Sequence, residues 1–441
     1  MEIYVYADWT DSTDPILVGT LRSSEIRGKE HFSFSYDRTW LTSNYVRQID
    51  PSLKLFVGDQ HALADKNFKT FLDSCPDRWG RLLMQRREAV VARQEKRRAK
   101  NLYETDYLLG VHDSFRMGAL RFCTSPTGPF LDDSQELAAP AITSLPELQH
   151  AANKIEETPD LDNPDYLKWL NMLISPGSSL GGARPKASIR NHDNSLWLAK
   201  FPSRHDDYDI GLWEFIVYQM AIESGIEMAE SKVEAIGRHH IFLTKRFDRT
   251  ETGKRLHFSS AMTQLEYFDG QDDGASYLEL AEFLIQHGSN TQQDLEQLWT
   301  RILFNIMVSN CDDHLRNHGF ILEPTGWRLS PAYDINPMLY ASGLHLNIDD
   351  VSNALSIDLA FDVAEYFHVT ESKAKAIHQR LLKVVSQWEV LAQQAGIRKE
   401  ESSHSPQLRL WRLSYAPQSA HPRDPLQRDS HRWRHKEQCC R

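Results

Sequence analysis

The stretch SNCDDHLRNHGF, residues 309–320, follows directly on the apolar run LFNIMV, residues 303–308. A chain that has just built a buried helix here places two carboxylates, two asparagines, an arginine and two histidines within twelve positions. Asp312 and Asn317 stand five apart, the spacing that separates base from metal-binding asparagine in a kinase catalytic loop, D-x-x-x-x-N. A strand-like segment follows, and HGFILEPTGWRLSPAYDIN (318–336) then delivers a second isolated carboxylate, Asp334, where a kinase keeps its principal Mg²⁺ ligand. Phosphoryl transfer needs these parts: a carboxylate to orient and deprotonate the acceptor hydroxyl, oxygens to hold Mg²⁺ on the phosphates, and a cation to neutralise them.

The cation is sought upstream. Lys200 in SLWLAKFPS (195–203) is a lysine on an apolar strand, a position normally avoided unless the charge is paired. It is the candidate for the nucleotide phosphates, with Glu214 of the helix GLWEFIVYQM (211–220) as its ion-pair partner. LTKRFDR (243–249) offers exposed backbone around Lys245, Arg246 and Phe247 against which an adenine edge could hydrogen-bond. The turn SSLGGARPK (178–186), with Gly181, Gly182, Ala183 and Lys186, could lay N–H groups on phosphate, although it fits neither G-x-G-x-x-G nor the P-loop pattern.

Each residue taken alone has a plainer reading. Asp312 and Asn317 could cap turns, and Asp334 could be a turn residue. Lys200 could snorkel at a strand end, and Glu214 could face solvent. His314 and His318, four apart, could pair on a metal, orient the catalytic loop or lie at the surface. It is the ordered set that carries phosphoryl transfer.

The rest of the chain frames this set. Its 441 residues suit two or three domains with ordinary globular composition. EIYVYAD, ILVGTLRS and HFSFSYDRTWL read as strands of a β-rich opening. Helical spacing follows from about residue 74, with seven Lys or Arg between Arg86 and Lys100, a solvated face or a basic patch. A Pro-, Asp- and Glu-rich connection near 131–165 precedes a second α/β unit, then a helical region with LELAEFLIQHG and LEQLWTRILFNIMVSN. The expected division is 1–135, 136–248, 249–398 and an atypical, disordered tail over 399–441, dense in Pro, Ser, His and Arg. Five cysteines without metal-ligand spacing suit a reducing compartment, and neither a membrane span nor a signal peptide is evident, so a cytoplasmic location is expected. The net charge of −11 disfavours a dedicated nucleic-acid binder.

The segments FSYDRTWL, CPDRWGRLL, LLGVHDSFRMGALRF, SSLGGARPKA, KRFDR, NCDDHLRNHGF and LSPAYDINP resemble the HipA family of toxin-like serine/threonine protein kinases, from residue 1 to about 350. The resemblance implies an α+β, protein-kinase-like two-lobed fold, related to phosphoinositide-kinase-like enzymes, with a small N-terminal β-rich subdomain, a kinase-like N-lobe and a helical C-lobe. It implies ATP and Mg²⁺ as cofactors, Asp312 as base, Asn317 and Asp334 as metal ligands, and Lys200 on the ATP phosphates. Lys245, Arg246, Phe247 and His314 would lie along the nucleotide. Ser179, with Ser178 its neighbour, matches the serine whose autophosphorylation ejects the glycine turn in this family. About two added negative charges there would repel nucleotide phosphates. The implied partners are a HipB-like helix-turn-helix antitoxin, which alone would bring the chain to DNA, and a protein substrate such as an aminoacyl-tRNA synthetase. Two other classes compete: a catalytically idle corepressor using the basic helix at Arg86–Lys100, and a small-molecule or lipid kinase.

Overall fold

The computed structural model describes residues 1–9, 14–63, 66–133, 140–157, 161, 163–174, 182, 184–237, 239–338 and 343–397. Ser178, Ser179, Gly181, Ala183 and the tail 399–441 lie outside the described residues. Three antiparallel sheets organise the chain. The first contains β1 (Glu2–Ala7), β2 (Ile16–Ile26), β3 (Lys29–Tyr36), β4 (Gln60–His61) and β5 (Leu120–Cys123), in the order β4-β3-β2-β1-β5. Strict alternation sets its faces: Ile3, Val5 and Ala7 of β1 and Phe32, Phe34 and Tyr36 of β3 are all buried. The strand-like run ends at Tyr36, because the Asp37 carboxylate accepts the Thr39 N–H at 2.8 Å and caps a short helix, Arg38–Thr42.

The second sheet contains β6 (Lys186–Arg190), β7 (Leu196–Lys200), β8 (Ser231–Ile236) and β9 (His239–Lys245), in the order β6-β7-β9-β8. Of the helices with eight or more residues, α1 (Arg78–Gln94), α2 (Leu145–Glu156) and α3 (Pro164–Ile174) share one core with it. In that core Trp79, Leu148, Ile155 and Leu170 pack with Ala187, Ile189, Trp197 and Ala199. The period of two therefore turns Leu198 and Lys200 to the opposite face, toward the rest of the molecule. Helix α4 (Ile210–Glu223) joins β7 to β8 and packs into the helical core.

That core is built from α5 (Tyr277–His287), α6 (Thr291–Val308), α7 (Glu371–Val385) and α8 (Trp388–Ala395). Helix α6 is buried on every side in its last turns, from Ile302 to Val308, and apolar there except for Asn305, because it runs through the centre of this core. It stops at Ser309, which takes a left-handed φ of +54° and sends the chain into the polar loop. A small third sheet, β10 (Phe258–Ser260), β11 (Gly319–Glu323) and β12 (Gly326–Leu329), receives that loop at β11.

Two charges of the basic run at Arg86–Lys100 are paired with carboxylates, and two more are tied to neutral acceptors. Arg97 pairs with Glu88 and Glu95, Lys100 with Asp106 at 2.8 Å, Arg87 donates to Asn171 at 2.9 Å, and Arg86 donates to the Ile155 carbonyl. These contacts fit the solvated-face reading.

One contact between the N-terminal sheet and the third sheet has a pH signature. His257 stacks on Trp9, with ring centroids 4.3 Å apart and planes at 16°, and neither of its buried ring nitrogens has a hydrogen-bond partner among the described residues. Burial pushes its pKa down to about 3. A histidine whose folded pKa lies below its unfolded value penalises folding as pH falls through the unfolded value, near 6.5. The cost is about 2 kcal/mol at pH 5. Thermal melts at pH 7.5 and 5.0 should show a drop that is smaller in His257→Phe; an equal drop in both proteins would rule this histidine out as the cause.

Candidate active site

The loop between α6 and β11 is held from beneath by a buried carboxylate. Asp313 Oδ2 accepts from the Tyr277 hydroxyl at 2.5 Å, from Asn305 Nδ2 at 2.7 Å and from the His318 ring at 2.9 Å. Burial pushes this carboxyl up, but the facing His318 and the hydrogen bonds from His318 and Tyr277 outweigh that and leave it below the usual carboxylate range. With Asp313 pinned inward, its neighbour Asp312 is exposed at the loop surface. Asn317 donates to the Asp312 carbonyl at 2.9 Å, and its own Oδ1 is buried with no hydrogen-bond partner among the described residues.

The segment carrying Asp334 is stitched to this loop on both sides. The Tyr333 hydroxyl donates to the Arg316 carbonyl at 2.8 Å, the Asn336 N–H to Asn310 Oδ1 at 3.2 Å, and the Met338 N–H to the Ser309 carbonyl at 3.0 Å. Asp334 itself has a left-handed φ of +57°, a strained position for a non-glycine residue. Its Oδ1 meets Lys200 Nζ at 2.5 Å, and Lys200 also pairs with Glu214. Strand β7, helix α4 and the 333–338 segment thus converge on one ammonium. Burial alone would lower the Lys200 pKa, but Asp334 and Glu214 raise it above the usual lysine value. Burial alone would raise the Asp334 pKa, but Lys200, then Lys186, hold it below the usual value.

Two hollows lie around these residues. One is lined by Leu198, Lys200, Thr244, Phe247, Tyr333 and Asp334, with the Phe247 ring 5.4 Å from that of Tyr333. The other, about 650 Å³, is lined by Asp312, His314 and Arg316 of the loop and by Lys66, Arg78 and Arg81 of the N-terminal region.

Several expected residues sit differently. Glu214 is buried in its ion pair and does not face solvent. The backbone N–H groups of Lys245 and Arg246 donate to the carbonyls of Glu230 and Leu196, at 2.7 and 2.8 Å, so neither is open to an adenine edge. The Lys245 ammonium pairs with Glu230 at 2.9 Å. The Arg246 guanidinium is fully buried on Asp248 and on the carbonyls of Phe115 and Arg116. Lys186 is buried at Asp77, 2.9 Å away, and donates to the Gly182 carbonyl at 3.3 Å, which places it behind the second hollow. His318 orients the loop through Asp313, and among the described residues no group of three or more His, Cys, Asp or Glu could hold a metal, so the histidine-pair metal reading is not followed. Sequence reasoning passed over Asp313, Asn305, Asn310 and Asn336. An asparagine inside the apolar run LFNIMV was the available signal, since a buried amide needs a partner.

The fold is α+β and kinase-like, with a strand lysine, a helix glutamate and a loop aspartate meeting where two lobes join. Residues 178–388 match the family model for the HipA-like C-terminal domain. It is 25% identical over 224 residues to the serine/threonine-protein kinase toxin HipA of Shewanella oneidensis, covering 43% of this chain and 50% of that one. It is 27% identical over 194 residues to toxin YjjJ of Escherichia coli, covering 42% and 43%. It is also 32% identical over 179 residues to a putative kinase of Haemophilus influenzae, covering 36% and 52%. The matched segments thus span about half the length of these curated relatives. The structure resembles Shewanella oneidensis HipA, solved with HipB and operator DNA, at a TM-score of 0.63 and 17% identity, covering 93% of this chain and 95% of that one. No helix among the described residues is long and apolar enough to cross a membrane.

Proposed function

We propose that this chain is an ATP- and Mg²⁺-dependent serine/threonine protein kinase acting as the toxin of a toxin–antitoxin pair. The observation that carries the reading is the Lys200 ammonium shared between Glu214 and Asp334, beside a loop that exposes Asp312 and leaves an orphaned amide oxygen on Asn317. Asp334 and Asn317 have the donor set a hard divalent cation prefers, oxygen only, so they fit Mg²⁺. The ion, when bound, would neutralise phosphate charge and hold the terminal phosphoryl group in line. Asp312 accepts the proton of the acceptor hydroxyl as that oxygen attacks. Lys200, kept charged by its two carboxylates, turns toward the nucleotide phosphates while Glu214 keeps its stem in place. Tyr333, Phe247 and Leu198 wall the base-binding end.

By resemblance, Ser179 or its neighbour Ser178 is the self-phosphorylated residue of the turn containing Gly181, Gly182 and Ala183. The partners would be a HipB-like antitoxin, reaching DNA only through it, and a translation-related protein such as an aminoacyl-tRNA synthetase, all in the cytoplasm. The HipB and operator DNA found with the Shewanella oneidensis protein support an antitoxin partner.

The test is incubation with labelled ATP, Mg²⁺ and a cell extract, in which label should enter protein; label confined to non-protein species would favour the small-molecule kinase. Lys200→Ala removes a charged phosphate donor and leaves two carboxylates facing the nucleotide, so ATP affinity by calorimetry should fall about ten- to hundredfold. Unchanged affinity would remove Lys200 from the site. In Ser179→Ala, mass spectrometry after incubation with ATP should find the 178–186 turn unmodified, whereas continued phosphate at Ser178 would move the assignment by one residue.

A further inference from the structure

The larger hollow has one wall from the N-terminal region and one from the helical lobe, and a single carboxylate bridges its mouth. Asp269 stands 3.4 Å from Arg78 Nη2, at the start of α1, and 3.7 Å from Arg316 Nε, in the catalytic loop. Both separations exceed the ~2.7–2.9 Å of a close guanidinium–carboxylate bond. The other charged pairs along this hollow are tight: Arg81 grips Glu104 with two bonds of 2.7 Å, and Lys186 meets Asp77 at 2.9 Å. Arg316 Nε is buried and has no hydrogen-bond partner among the described residues. Two guanidiniums therefore share one distant carboxylate, and Lys66 adds a third positive charge on the N-terminal wall, held over the Phe268 ring at 3.9 Å. Arg78 is mostly exposed and Lys66 donates to Gln271 at 2.9 Å, so the unsatisfied group here is the Arg316 Nε, on a hollow that Asp312 also lines.

We infer that Arg78 and Arg316 form a seat for an acidic side chain of the protein substrate, next to the hydroxyl that Asp312 deprotonates, and that Asp269 fills the seat when no substrate is bound. This inference rests on the kinase reading for the direction in which the acceptor approaches. The two guanidiniums lie on opposite walls, so a substrate carboxylate between them bridges the N-terminal region and the catalytic loop, and the acceptor segment is selected by both. Arg78 and Asp269 are specificity-determining residues; neither touches the reacting atoms.

The experiment uses the full chain and three fluorescein-labelled peptides, each with one serine flanked by glutamates, by alanines or by lysines, titrated by fluorescence anisotropy. The acidic peptide should bind about five- to tenfold more tightly than the alanine peptide, and the lysine peptide most weakly. Arg78→Glu should abolish that order. Asp269→Ala, by vacating the seat, should tighten the acidic peptide, whereas a merely structural Arg78–Asp269 contact would leave it unchanged or weaken it. Equal affinities for the three peptides, or weaker acidic binding in Asp269→Ala, overturns the inference. Anisotropy needs no phosphate transfer, so acidic preference in a chain that never labels protein would remove the kinase reading and leave the seat standing.

Discussion

Asp312→Asn is expected to slow phosphate transfer about a thousandfold, because a positioned general base contributes ~10²–10⁴ in rate and an amide cannot take the proton. Folding should change by less than about 0.5 kcal/mol, since Asp312 is exposed and its side chain supports nothing else in the loop. The buried carboxylate that holds the loop is its neighbour Asp313, which stays in place. Nucleotide affinity should also persist, as Asp312 and Lys200 line different hollows. Incorporation of labelled phosphate, calorimetry with ATP and Mg²⁺, and a thermal melt separate these three quantities. A variant that still arrests growth as wild type does would shift the balance to the idle corepressor.

Asp248→Ala should produce the largest loss of stability. The Asp248 carboxylate is completely buried between Arg246 and Arg249, at 2.5 and 2.6 Å, and accepts the Gly118 N–H at 2.7 Å. The same two arginines donate to the carbonyls of Phe115, Arg116 and Gly118. Removing the carboxylate strands two buried guanidiniums, at a cost of about 3–5 kcal/mol. The melting temperature should drop by roughly 10 °C. Burial would raise the Asp248 pKa, but the two arginines hold it at about 2. A depressed carboxylate stabilises above its unfolded value, near 3.8, and loses that contribution as pH falls through the folded one. Wild type should therefore lose stability between about pH 4 and pH 2, and Asp248→Ala should show less of that loss. A melt within about 1 °C of wild type would mean the network carries no net weight.

This network also shows what a sequence does and does not disclose. KRFDR and FRMG could be recognised as recurring motifs, but nothing in either says that they bind each other across 130 residues. Local patterns were readable: the alternation of β1 and β3, the mainly apolar end of α6, the polar loop after it, and Lys200 as a charge in need of partners. Glu214 was named as that partner, and Asp334 as a metal ligand, because kinase chemistry demands them; the pairing of Asp334 with Lys200 was not foreseen. The expectation of open backbone N–H groups at Lys245 and Arg246 failed for a physical reason. A strand's side-chain pattern shows its faces but not which edge is already hydrogen-bonded, so the N–H groups of Lys245 and Arg246 could not be known to be engaged. Arg78, Asp269 and Lys66 were invisible as a set, since long-range charge placement leaves no periodic trace.

The clamp around Asp248 bears on how the protein can be handled. The HipA-like segment begins at residue 178, yet Phe115, Arg116, Gly118 and Asp77, which close around Arg246, Asp248, Arg249 and Lys186, all precede it. Excising residues 178–388 as a minimal kinase would break the Lys186–Asp77 ion pair and leave Arg246, Asp248 and Arg249 paired with one another but stripped of their backbone partners at Phe115, Arg116 and Gly118. Fragment expression should consequently yield an aggregating product, and supplying residues 1–177 in trans is the natural rescue.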